Sequence, residues 1–148
     1  MYETILIPLD GSGRAEAILP HVTELAQCLG SKLVLMRVVD PAIAYSGLEG
    51  LPVEVTRDLI NQEAEEAKTY LETKRKELET QQIEAKVVVR YGAVPQTILD
   101  VAEAEHADLI AIASHGRSGL SRIFYGSVAA AVLQRADRPL LLIRSAGE

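Results

Sequence analysis

Apolar and polar positions along this chain switch between two periods. Thr4–Leu9 (TILIPL), Lys32–Val39 (KLVLMRVV), Asp108–Ser114 (DLIAIAS) and Pro139–Ile143 (PLLLI) are short, nearly continuous apolar runs, the pattern of strands buried on both faces. Ile83–Tyr91 (IEAKVVVRY) alternates instead, with Glu84, Lys86 and Arg90 to one side, as an edge or half-exposed strand does. Helical spacing fills the gaps. Arg14–Leu29 sets Ala15, Ile18, Val22, Leu25, Ala26 and Leu29 on one face, and Gly30 is suited to end it. A long polar helix is expected from about Val53 to about Gln81, with Ile60, Ala64, Ala67, Leu71 and Leu78 inward. The Glu- and Lys-rich stretch Glu63–Lys76 reads as its solvated face, laced with i,i+4 pairs. Pro95 opens a helix to about Glu105, and a last helix covers about Gly126–Arg135. Pro41–Pro52, with two prolines and two glycines, reads as a loop.

The resulting order, βαβαβαβαβ, predicts one α/β domain over residues 1–148: an open five-stranded parallel sheet with helices on both faces and right-handed crossovers. The common strand order for such a Rossmann-like or flavodoxin-like sheet is 3-2-1-4-5. Its last strand then lies at an edge, with no charge between Pro139 and Ile143. Bare apolar edges pair with other strands, so a homodimer through Pro139–Ile143 is expected. The alternative is that helix packing covers this strand.

Composition narrows the class of function. The chain of 148 residues is 48% hydrophobic and 24% charged, the balance of a folded soluble domain. Its net charge of −6 argues against nucleic acid or an anionic membrane as partner, since both are bound by cationic surfaces. Cys28 is the single cysteine, which excludes an internal disulfide and suits a reducing compartment. A strand-like run follows Met1 directly, with no basic leader, and no apolar stretch approaches the ~20 residues of a membrane helix. A cytoplasmic location is the expectation.

Ligands of doubly wound sheets bind at the carboxyl ends of the strands, where the strand order reverses. In the order 3-2-1-4-5 the first and fourth strands meet there, bringing Pro8–Arg14 (PLDGSGR) and the glycine- and serine-rich stretch within Ile112–Val132 to one crevice. The long stretch has the parts of an anion site. Gly116 permits a tight turn and Gly126-Ser127 opens a helix whose free N–H groups favour a phosphate, while Arg117 and Arg122 supply positive charge. Asp10 would repel phosphates and is suited instead to a ribose or base hydrogen bond, or to a Mg²⁺. A turn or N-cap role for Asp10 in DGSGR is the competing reading.

These residues resemble those of the universal stress protein family, over essentially the whole chain. The marks are ILIPLDGS, RVVD, and ASHGRSGLSRIFYGSVAAAVLQRADRPLLLI. The family's ATP-binding branch has glycine, two residues, glycine, nine residues, then glycine and Ser or Thr; this chain matches from Gly116 through Gly126-Ser127. The resemblance implies ATP with Mg²⁺ across the switch point. Pro8, Leu9 and Asp10 would border the adenosine, with Asp10 toward the ribose, and Val38 would meet the adenine through its backbone. Gly116, Gly126 and Ser127 would hold the phosphates, and His115, Arg117 and Ser118 would line the loop. It also implies a dimer, a regulatory role and an unidentified protein partner. The departure is Ala113, which stands where the family motif has its first glycine.

Fold alternation alone does not choose among relatives of this architecture. A flavodoxin needs a Ser/Thr-rich phosphate loop after the first strand and aromatics about the flavin; this chain offers DGSGR and no Trp. A response regulator needs an acidic cluster, and only Asp10 and Asp40 stand near the required places. His115 is the one candidate base for hydrolysis, with a backbone-bonded loop histidine as the competing reading. No catalytic residue and no protein-held metal is assigned, which leaves at most slow hydrolysis or self-phosphorylation at Ser118 or Ser121. Two functions of different class remain: an ATP-binding regulatory dimer, with Pro41–Pro52 and its Tyr45 as the part able to move, and a nucleotide-free dimer acting through protein contacts. Gly126-Ser127 favours the first and Ala113 the second.

Overall fold

The computed structural model describes residues 1–44, 47–116 and 126–146. Strands β1 (Thr4–Pro8), β2 (Lys32–Val39), β3 (Ala85–Tyr91), β4 (Leu109–Gly116) and β5 (Leu140–Ala146) form one parallel sheet in the order β3-β2-β1-β4-β5. Helices α1 (Gly13–Glu16), α2 (Leu19–Leu29) and α4 (Val53–Glu79) cover one face. Helices α5 (Val94–Ala104) and α6 (Ser127–Arg135) cover the other. The expected architecture and strand order are those found.

Period-two geometry divides the strand residues between two cores. Ile5, Ile7, Leu33, Leu35, Leu109 and Ala111 join Val22 of α2 and Leu71 of α4 on one face. Leu6, Val34, Met36 and Ile110 join Ile98 of α5 and Val132 of α6 on the other. Because both faces of β1, β2 and β4 are buried, their sequences show no alternation.

Several boundaries differ from expectation, each for a local reason. The helix expected over Arg14–Leu29 is broken at Ala17–Ile18 into α1 and α2. Pro20 has no N–H and its ring occupies the space of the Glu16 carbonyl, so the regular ladder stops there. The chain instead turns tightly through bonds from Ala17 N to Arg14 O and from Ile18 N to Ala15 O. Leu29, expected inward, is exposed, while Gly30 caps α2 in the left-handed conformation as expected. Inside the expected loop Pro41–Pro52, Pro41–Ala44 form a short helix, α3, started by an Asp40 Oδ1 bond from Ala42 N. Tyr45 lies outside the described residues.

Two strands extend past their expected ends together. β4 reaches Gly116 rather than Ser114, and β5 begins at Leu140 and runs to Ala146 rather than closing at Ile143. The ladder continues through Ser114↔Arg144, His115↔Ser145 and Gly116↔Ala146, so each strand supplies the partner that lengthens the other. His115 and Gly116 therefore belong to a strand.

Candidate functional site

β1 and β4 pair only at Ile5↔Leu109 and Leu6↔Ile110. Beyond that point they diverge, β1 ending at Pro8 while β4 continues toward β5. The gap is the point where strand order reverses, and a cleft opens there at the carboxyl ends of the strands. Pro8, Leu9, Asp10, Val38, Ala113, Gly126 and Ser127, all expected at the site, line this one cleft. Gly116 ends β4, the side chain of His115 is not described, and Arg117 and Ser118, like Arg122 and Ser121, lie outside the described residues.

One side of the cleft is apolar. Met36 and Val38 come from β2, Ile112 from β4, and Val94 and Ile98 from successive turns of α5. Only Val38 of these five was expected. Met36 was legible, since it shares a strand face with Val38 two residues on. Nothing in the spacing of Val94 and Ile98 distinguishes a cleft wall from ordinary helix core.

β2 also leaves backbone groups facing this slot. Met36 O accepts from Leu9 N at 2.8 Å, so the polar backbone of Met36 faces β1. Val38, two residues on, faces the same way, but the β1 ladder ends at Pro8↔Met36. Among the described residues, no backbone bond from Val38 to that side is formed. Val38 is half-buried, and its unpaired backbone groups border the apolar part of the cleft.

A helix end makes another part of the lining. Ser127, Val128 and Ala129, the first residues of α6, line the cleft. Their N-cap is Gly126, which has no side chain to satisfy the orphan N–H groups of the first turn. Gly126 is buried, with φ of 75° and ψ of 149°, a region that only glycine enters at little cost. The amides and the helix dipole together make this end anion-seeking.

Asp10 is part of a turn and borders the cleft at once. Its Oδ1 accepts from Ser12 N at 2.8 Å and from Ser12 Oγ at 2.6 Å. Ser12 Oγ in turn accepts from Ala15 N at 3.2 Å and caps α1. The turn reading of Asp10 holds, but both bonds fall on Oδ1. Ser12 and Arg14 also line the cleft. Across it, the Ser114 hydroxyl is directed to β5, donating to Ile143 O at 3.2 Å.

Ala113 packs with the core of the α1–α2 face while bordering the cleft. The residues with positive φ other than glycine are Tyr2, Gln82 and His106 among those described. Ala113 is thus an ordinary strand residue, paired with Ile143, and its methyl meets no backbone penalty.

The Universal stress protein family model matches residues 1–144. Universal stress protein MJ0577 of Methanocaldococcus jannaschii is 31% identical, the alignment covering 97% of this chain and 96% of that one. A solved structure of MJ0577 superposes with a TM-score of 0.84 at 32% identity, covering 100% of this chain and 99% of the other. Universal stress protein UspA from Lactobacillus plantarum gives a TM-score of 0.79 at 27% identity over 97% and 98% of the two chains. The fold is shared as well by a universal stress protein from Archaeoglobus fulgidus solved in complex with dAMP, with a TM-score of 0.65 at 23% identity, covering 96% and 98% of the two chains.

Proposed function

The chain belongs to the universal stress protein family, and from that premise we propose that it is an ATP-binding regulatory module. ATP lies across the cleft between β1 and β4. The observation that carries this reading is the pairing, in one cleft, of an apolar slot with an uncapped helix N-terminus. A flat apolar base and a polyanion are the two ends of a nucleotide, and each has its counterpart here. The adenine lies among Met36, Val38, Val94, Ile98 and Ile112, where the free backbone groups of Val38 meet its polar edge. Asp10 Oδ2, which takes no part in the turn, accepts from the ribose. The phosphates meet the amides of Ser127–Ala129, the Ser127 hydroxyl and Arg14.

Mg²⁺ arrives with the triphosphate, whose oxygens hold it. Ala113 does not oppose this reading, since its methyl packs with the α1–α2 core and its φ is not positive. That the Archaeoglobus protein of the same fold was solved with dAMP supports the choice of an adenine nucleotide.

Isothermal titration with ATP and Mg²⁺ tests the reading. Wild type is expected to bind, and Gly126→Arg to lose binding, because a side chain at that φ distorts the N-terminus of α6 and fills the phosphate end. Absence of heat and of thermal stabilisation in wild type at millimolar ATP would favour a nucleotide-free module acting through protein contacts alone.

A further inference from the structure

The Asp10–Ala15 segment forms one wall of the cleft, yet little of its own packing holds it. α1 is four residues long and contributes no buried residue, and so short a helix is unstable alone. Ala15 packs partly against the α1–α2 core, and side-chain bonds to α1 come from α4, which does not line the cleft. Glu16 Oε2 accepts from the Tyr70 hydroxyl at 2.6 Å, and Glu16 Oε1 pairs with Lys74 Nζ at 3.0 Å. Lys74 Nζ also stands 5.9 Å from the centre of the Tyr70 ring. Both carboxylate oxygens are thus taken by one face of a 27-residue helix. Tyr70 packs against the α1–α2 core, which anchors the far end of this contact. The side chains of Glu16 and Lys74 are 27% and 20% exposed, so water screens the pair less than it would on an open surface.

The near end connects to the cleft through a short chain of bonds. Asp10 holds Ser12, and Ser12 caps α1. Between them Gly11, at φ of 87°, lies close against Arg37, whose Nη1 would be 3.4 Å from a Cβ placed there. The segment is therefore pinned at Glu16 and backed at Gly11, both on the side away from the adenine slot.

We propose that Tyr70 and Lys74 are positioning residues of the nucleotide cleft, holding through Glu16 the segment that presents Asp10, Ser12 and Arg14. The cleft half of this inference rests on the ATP reading; the holding half does not. Since α1 holds no fully buried residue, loss of the strap loosens the segment without unfolding the sheet. A looser wall must then be ordered by the ligand, which lowers affinity.

The test is amide hydrogen exchange on ligand-free protein together with ATP titration, for wild type, Tyr70→Phe/Lys74→Gln, Glu16→Gln and Arg75→Gln. Arg75 pairs with Glu72 and Glu79 within α4 and serves as the control. The amides of Ala15, Glu16 and Ala17, all bonded within this turn, report on the segment. In the double variant their exchange is expected to rise about tenfold, with the β2 amides unchanged and ATP affinity down roughly five- to tenfold. Glu16→Gln keeps one acceptor for Tyr70 and loses the charge and the second acceptor that face Lys74, so it is expected between wild type and the double variant, and Arg75→Gln is expected to match wild type. Unchanged exchange at Ala15–Ala17 overturns the proposal. So does equal acceleration in β2, which marks a general stability effect, and so does unchanged affinity in the double variant. If wild type itself binds no ATP, the nucleotide reading fails. The exchange data alone then decide the strap, on the same two criteria.

Discussion

A methyl group added at Gly92 has nowhere to go. Gly92 stands between β3 and α5 at φ of 148°, and a Cβ there would lie 2.5 Å from Thr97 Oγ1. Thr97 is buried and its hydroxyl donates to Ala93 O at 2.7 Å, so moving it breaks a shielded bond. Gly92→Ala is expected to cost about 2–4 kcal/mol, from strain and overpacking together. Urea denaturation measures this, with the midpoint shifting and the slope unchanged. The same tight turn sets where α5 begins, and hence where Val94 and Ile98 meet the cleft. Residue-scale legibility was uneven for a related reason. Gly126 announced itself by standing before a helical run, and the structure gives it a φ that demands glycine. Ala113 raised a question that only a backbone angle answers, because one methyl is harmless or costly depending on φ and on the face it occupies. Val94 and Ile98 gave no signal, since apolar residues one turn apart look alike in a core and in a binding slot.

Between elements, carboxylates do much of the fastening. Asp108 precedes β4 and accepts from the backbone N–H groups of Glu3 and Thr4 at 3.0 and 3.1 Å, tying the start of β4 to the start of β1. Burial on its own would raise the Asp108 carboxyl, but these bonds and the nearby N-terminal ammonium outweigh it and hold its pKa below the ordinary value. A pKa lower in the folded than in the unfolded state adds stability above the unfolded value, near 3.9. That contribution is lost as pH falls through the folded value. Asp108→Asn is therefore expected to be less stable than wild type at pH 7, with the gap closing below about pH 4. Thermal melts of both proteins from pH 7 to pH 2 measure it, and a gap independent of pH would count against the charge as its origin. Element boundaries were legible where the cause is local, as with Gly30 after α2. They were missed where the cause is a neighbour: β4 and β5 lengthen each other by pairing, and Pro20 breaks a helix whose apolar spacing runs on through it.

At the scale of the whole molecule, the two edges of the sheet differ in kind. β3 has Lys86 and Arg90 exposed along its length, and charges on an edge discourage pairing. β5 offers Leu140, Leu141, Leu142 and Ile143 in succession, each only half-buried. Strand order was legible because the alternation of elements and the right-handed crossover rule leave few topologies. It placed β5 at an edge, as found. We propose that this half-buried apolar edge forms a homodimer in which β5 of one copy meets β5 of the other. Sedimentation equilibrium is expected to give twice the 16.1 kDa of one chain, and Leu141→Asp to give the single-chain mass. Leu141 also packs partly against the α1–α2 core, so the circular dichroism spectrum of the variant must match wild type for the comparison to bear on the interface. A folded variant of unchanged mass would exclude this edge as the interface. The stakes reach the cleft, because β5 pairs with β4 through Ala113, Ser114, His115 and Gly116. A dimer joined at this edge would lie one strand from the cleft, and if ATP binds there as proposed, any preference of ATP for the paired form is returned, by linkage, as tighter pairing when ATP is bound.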